Sequence, residues 1–257
     1  MFHRVRAIAL NTFRESSRDR ILLAVALFSL VMIAFSVFIG SISLEQDKKI
    51  IEDFGLAFIF LLEVFVAVFV GSNLMYKEIE RKTFFLIIPK PVSRSEIILG
   101  KFLGLGLTNL FVTICSSVVF FLLVILKTHA SGDVPYLLFA IALGYVETLI
   151  ITLISLLFSG LTSPLLSALY TTTLFLIGHS SSMLVSIIQA QHSVVTQYVL
   201  YFFYYIFPNF EKYNIRNEAI YGVYPPRAEV GLSLLYAVLY GVFLFIIARA
   251  IFERRQY

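Results

Sequence analysis

The chain is written in long apolar runs separated by short charged ones. The repeat is far longer than the two-residue period of a strand or the 3.6-residue period of a surface helix. Residues 21–44 contain no Asp, Glu, Lys or Arg. Residues 54–76 contain one, Glu63; residues 102–126 contain none; residues 134–158 contain one, Glu147. From Thr148 to Phe210 there is again no charged side chain. A helix crosses the ~30 Å hydrocarbon core with about 20 residues, so the stretch after Glu147 must fold back. Ser159-Gly160 and Ser163-Pro164 mark the break, because Gly and Pro end helices and make turns. The pattern predicts six spanning helices, over 21–44, 54–76, 102–126, 134–158, 165–188 and 230–248.

The fold class expected is therefore all-α, a polytopic membrane protein. The longest pieces outside the spans are 77–101 and 189–229, too short for an independent domain, so residues 1–257 read as one transmembrane domain. The first run is longer than a signal-peptide core of ~7–15 residues and no A-x-A pattern follows it, which makes it a retained anchor. Composition agrees: 59% of residues are hydrophobic and 14% charged, against about 45–50% and about 25% in soluble domains. That excludes a soluble enzyme and a nucleic-acid-binding module. Cys115 stands alone, which excludes an intrachain disulfide and a zinc site built on paired cysteines.

Charge matters through its distribution. Lys and Arg number 14 in the N-terminal segment, the 2–3 loop and the C-terminal tail, against six in the remaining loops. By the positive-inside rule both termini face the cytoplasm.

Three pieces outside the spans carry information. In residues 3–20, Val5, Ile8, Ala9, Thr12 and Phe13 share one helical face and arginines fill the others. This predicts a basic amphipathic helix lying at an anionic inner leaflet. In residues 77–101, a charged half (Lys77, Glu78, Glu80, Arg81, Lys82) leads to an apolar knot that includes Phe84 and Phe85. Pro89 and Pro91 then stop the helix, and Ser93 or Ser95 caps the next. A charged cytoplasmic helix with an apolar patch has the shape of a docking element. Residues 193–210 are rich in Tyr and Phe but too short to span, which predicts an interfacial or re-entrant helix on the outer face.

No phosphate-binding loop is written in the chain. Gly100-Lys101 resembles the end of one, but Ser95 stands where its first Gly belongs and Phe102 where Ser or Thr belongs. There is no H-E-x-x-H and no G-x-S-x-G. Two carboxylates do lie inside spans, Glu63 and Glu147, at depths that place them near one level. Either they line a route for cationic or polar cargo or for protons, or each is a neutral carboxyl bonded to a neighbouring helix. The fifth span carries Thr171, Thr172, His179 and Ser180 among many hydroxyls, so it faces protein or a water-filled path. Gly100 and Gly104 form a close-packing site at the mouth of the third span.

The order of these parts resembles that of the permease subunit of ABC-2 type transporters, which implies a type V exporter-like fold. Glu78-x-Glu80-x-Lys82-Thr83, then Pro89-Lys90-Pro91-Val92-Ser93-Arg94 and Leu99-Gly100-Lys101, resemble that family's 2–3 loop. The chain resembles permeases associated with multicopper-enzyme maturation, such as the nitrous-oxide-reductase accessory permease, and gliding-motility permeases. The resemblance implies a half-transporter of the cytoplasmic (inner) membrane. Two copies pair as a homodimer, surrounded by membrane lipids, with spans two and five lining the interface. Each copy docks a separate ABC ATPase, so two ATPase copies bind ATP and Mg and this chain binds no cofactor. The coupling helix is about 77–88, with Lys77, Glu78, Glu80, Arg81, Lys82, Phe84, Phe85, Pro91 and Arg94 as docking residues. Glu63, Glu147, Thr171, Thr172, His179 and Ser180 are candidates for the translocation path. Export is the direction implied, and an accessory protein on the periplasmic or outer side is compatible with it. The competing reading is an ion- or proton-coupled secondary carrier that uses Glu63 and Glu147.

Overall fold

A computed structural model describes residues 2–40, 47–80, 93–128, 133–191 and 193–254. Among them every regular element is a helix. In chain order these are α1 (Phe2–Ser17), α2 (Arg20–Gly40), α3 (Asp47–Phe65) and α4 (Gly71–Glu80), then α5 (Arg94–Thr128) and α6 (Val134–Ser159). There follow α7 (Pro164–His179), α8 (Ser181–Ala190), α9 (Val194–Ile206), α10 (Arg216–Ile220) and α11 (Arg227–Arg254).

Four stretches are long and apolar enough to cross a membrane: Lys48–Leu74, Arg94–Leu126, Val134–Ser159 and Arg227–Phe252. The α7–α8 pair makes a fifth, bent by 57°. The first apolar run forms α2, 21 residues and about 31 Å at ~1.5 Å per residue. The Gly160–Ser163 break falls where the sequence puts it, with Pro164 opening α7, because Pro is pre-set for a first helical turn. The fifth span is not the straight helix expected over 165–188. It breaks at Ser180, where the Phe210 N–H donates to the Gly178 carbonyl at 3.1 Å. There too the Ser181 hydroxyl donates to Asn209 Oδ1 at 2.9 Å.

α3 and α4 are one rod joined by a π-helical turn, Val66–Val70. Such a turn frees backbone carbonyls from the regular ladder. Here Ser155 Oγ on α6 donates to the Val68 carbonyl at 3.1 Å, and Asn73 Nδ2 donates to the Phe69 carbonyl at 2.9 Å. The charged helix of the 2–3 loop therefore does not start afresh at Lys77; it is the end of the second span, carried past the membrane through Glu80.

α6 is the central element, packed against α3, α4, α5, α7 and α11. Contacts at the two ends of the bundle fix which parts share a side. At one end the Arg94 guanidinium donates to the Phe252 carbonyl, and the Phe252 ring rests on Gly160. α1 lies along the first turns of α5 at the same end. At the other end Lys48 pairs with Asp133, the Lys49 ammonium sits 4.3 Å from the Tyr221 ring centre, and the Tyr136 and Tyr224 rings lie 4.3 Å apart. The N-terminal helix, the start of α5, the 160–163 turn and the end of α11 are thus on one face, as the charge count requires.

α1 is amphipathic as expected, and part of its less polar face, Val5, Ala9, Thr12 and Ser16, is buried against the protein. Gly100 and Gly104 make this possible: a Cβ at Gly100 would stand 2.7 Å from Ile8 Cβ, and one at Gly104 would stand 2.6 Å from the Ala9 carbonyl oxygen. The close-packing pair holds α1, and the arginines face outward around it. α5 opens with a capping box. The Ser93 N–H donates to Glu96 Oε2 at 2.9 Å and the Glu96 N–H donates to Ser93 Oγ at 3.2 Å.

Candidate functional site

Three helical faces meet around one chamber. α3 contributes Leu56, Ile59, Phe60 and Glu63, α6 contributes Ile141, Gly144 and Glu147, and α7 contributes Phe175 and His179. Each set follows the three- and four-residue spacing that puts side chains on one helix face. The segment after α9 closes the end of the chamber away from α1 with Tyr213, Asn214, Ile215 and Arg216. The chamber is partly open, with a volume of about 310 Å³, the scale of a small-molecule site.

Glu63 and Glu147 are each 1% exposed. Thr113 Oγ1 on α5 donates to Glu63 Oε1 at 2.7 Å. Glu63 Oε2 has no hydrogen-bond partner among the described residues and stands beside Gly144, where a Cβ would lie 3.6 Å from it. The glycine leaves that oxygen open to the chamber. His179 Nε2 lies 2.8 Å from Glu147 Oε1, close enough for an ion pair, although neither atom has an aligned hydrogen bond. The imidazole is held edge-on to Phe60 and Phe175, with ring centres 5.7 and 4.7 Å away, and tilted against Phe210 at 5.9 Å. It occupies the last residue of α7 because the helix breaks there, where a helix C-terminus favours a cation.

This closure is built from buried and part-buried groups. Tyr213 is buried, donates to the Ser233 carbonyl at 3.1 Å, and has its phenol ionisation pushed up by burial. Asn209 joins three elements: its N–H donates to Tyr236 Oη at 3.0 Å, its Nδ2 donates to Tyr204 Oη at 3.2 Å, and Oδ1 accepts from Ser181.

Beneath the chamber a buried polar seam ties the spans. Asn109 Nδ2 donates to Thr148 Oγ1 at 2.9 Å. Ser72 and Ser155 hydroxyls lie 3.2 Å apart, Ser167 donates to Ser72 Oγ at 3.1 Å, and Ser159 donates to the Ser72 carbonyl at 2.8 Å. Most of these hydroxyls also reach a backbone carbonyl, the usual outlet for Ser and Thr in lipid.

Glu63, Glu147 and His179 are thus brought together, from the residues singled out in the sequence. Thr171 is buried but donates to the Ser167 carbonyl at 2.8 Å, below the chamber. Thr172 and Ser180 are exposed, and the Ser180 hydroxyl bonds the Leu176 carbonyl of its own helix. Glu63 faces α5 and α6 inside the protomer, so it does not line a face open to a second copy. Sequence reasoning missed Thr113, Asn109 and Thr148; their only signal was the spacing of Asn109 and Thr113 four residues apart in an apolar run. It also missed Glu52, wholly buried with both carboxylate oxygens unbonded. Of the docking residues, Lys77, Glu78 and Glu80 occupy the last turn of α4, and Arg94 opens α5. Arg81, Lys82, Phe84, Phe85 and Pro91 lie outside the described residues.

The chamber offers two carboxylates, an imidazole, a guanidinium and aromatic walls, a set suited to binding. No group of three His, Cys, Asp or Glu side chains able to hold a metal ion occurs among the described residues. A sequence profile of the ABC-2 family transporter proteins matches residues 6–257. A comparison with curated proteins finds no match.

Proposed function

The chain belongs to the ABC-2 family of transporter proteins, and from that membership we propose that it is the permease half of an exporter driven by a separate ATPase. Two copies pair in the cytoplasmic membrane, and each docks one ABC ATPase that supplies ATP and Mg. The observation that carries this reading is the family match over nearly the whole chain. The sequence itself contains no phosphate-binding loop. α4 suits the role of a lever. It is continuous with the second span, so a push on its end at Lys77–Glu80 is delivered to the π-turn and to the face that carries Glu63. α1, clamped on Gly100 and Gly104, braces the other arm of the same loop. The chamber forms the outer part of the route that the cargo takes, and the exposed face of α7 with Thr172 meets the second copy.

The test is copurification. The tagged chain, extracted from native membranes, should bring down a P-loop ATPase and show no ATP hydrolysis without it. Arg81→Glu and Phe84→Asp should insert and pair normally yet lose the ATPase. Reversing a charge at a buried contact costs about 2–5 kcal/mol, a loss of roughly 30-fold or more in affinity. Retention of the ATPase at the wild-type ratio by both variants would remove the loop from the docking site.

A further inference from the structure

We propose that the chamber between α3, α6 and α7 is a binding site for a small organic ammonium, recognised by Glu63. The inference rests on the reading of the chamber as part of the cargo route and names the class of cargo.

The two carboxylates are not equivalent. Glu147 has a basic neighbour, His179, at 2.8 Å, and Arg216 lines the same side. Glu63 has no basic partner among the described residues; its one contact is the Thr113 hydroxyl on Oε1. Its other oxygen opens into the chamber past Gly144. A carboxyl that is 1% exposed either keeps its proton or is held ionised by a cation beside it. A bound ammonium in the chamber would be that cation.

The walls say which kind. Phe60 is on the same face of α3 as Glu63, and Phe175 faces it with ring centres 6.1 Å apart. Leu56, Ile59 and Ile141 complete an apolar lining. Aromatic walls beside a carboxylate favour a soft, weakly hydrated ammonium over a compact hydrated metal ion. At about 310 Å³ the chamber has room for a small organic ion, at ~30 Å³ per displaced water. The Arg216 guanidinium already balances Glu147, so the added charge is matched by Glu63 alone.

The probes are choline and its uncharged carbon isostere, 3,3-dimethylbutan-1-ol, titrated by calorimetry into the detergent-purified chain at constant sodium chloride. Choline should bind saturably and the isostere at least about tenfold more weakly, the worth of a desolvated cation contact. Glu63→Gln keeps shape and still accepts from Thr113, and should weaken choline by at least about tenfold. Gly144→Leu leaves every charge in place but fills the chamber, and should abolish binding. Normal elution volume and helical content of both variants exclude misfolding as the cause. The proposal is overturned if choline fails to bind the wild type, if the isostere binds equally, or if Glu63→Gln binds choline unchanged. None of these readings uses the ATPase, so the copurification result stands or falls separately.

Discussion

Thr113 Oγ1 lies 2.7 Å from Glu63 Oε1 and joins α5 to α3 through a buried carboxylate. The same hydroxyl is 2.9 Å from the Asn109 carbonyl, so its single hydrogen alternates between the two acceptors. Thr113→Val keeps the shape and removes that hydrogen. Leaving a buried acceptor unsatisfied costs about 1–3 kcal/mol. The loss should appear in denaturant unfolding of the detergent-solubilised chain, and should shrink in a Glu63→Leu background. Equal losses in both backgrounds would show that the hydroxyl serves only the α5 backbone.

Gly100 and Gly104 hold α1 at a distance no larger residue permits. Ala at Gly104 would place a methyl 2.5 Å from Thr12 Cβ and 2.6 Å from the Ala9 carbonyl oxygen. Backbone cannot swing aside as a side chain can, so α1 must shift, at a cost of about 1–3 kcal/mol. Gly104→Ala should therefore speed tryptic cleavage at Arg14 and Arg18, in and just after α1. If the cleavage rate is unchanged, α1 is held by lipid and not by α5.

Four straight spans and the bent fifth were legible because an apolar run of bilayer length has few alternatives, and the 160–163 turn because Gly and Pro act locally. Ser93 was one of the two caps the sequence offered for α5, and the common level of Glu63 and Glu147 followed from their depth along the spans. Rotation was not legible. A span that is apolar all round does not reveal which side its one carboxylate faces, and the π-turn at Val66–Val70 rotates α4 relative to α3 without any Pro or Gly inside it. The break at Ser180 was hidden for another reason. Its cause is Phe210 bonding to Gly178 across intervening α8 and α9, a contact that only the folded chain makes.

Asn209 anchors the segment that closes the chamber, through Ser181, Tyr204 and Tyr236. Asn209→Leu abolishes the two side-chain bonds and leaves the backbone bond to Tyr236. Each lost bond is worth about 0.5–1.5 kcal/mol, enough to raise opening of this segment roughly 5-fold to more than 100-fold. Hydrogen exchange at Phe210, Tyr213 and Asn214 should quicken by that order while α6 keeps its protection. Exchange that quickens equally in α6 would mean that the closure and the core open as one unit.

Glu147 and His179 should show unequal costs when separated. Their side chains are 1% and 22% exposed, so the carboxylate depends on its partner more than the imidazole does. His179→Leu leaves Glu147 buried without its basic neighbour, and breaking a buried pair from that side costs about 3–5 kcal/mol. Glu147→Gln removes the group that is hard to bury, and leaves an imidazole that the chamber and the Phe60 and Phe175 rings still accommodate. It should cost clearly less. The double variant should be close to Glu147→Gln alone, because once the carboxylate is gone the histidine has little left to offset. The coupling energy drawn from the four proteins should fall at about 0.5–3 kcal/mol, in the sense that the double variant is more stable than the sum of the single losses predicts. Denaturant unfolding of all four in one detergent measures it directly. Strict additivity would show that the 2.8 Å approach is proximity without attraction. His179 would then be held only by its aromatic neighbours, and Arg216 alone would be left to balance Glu147.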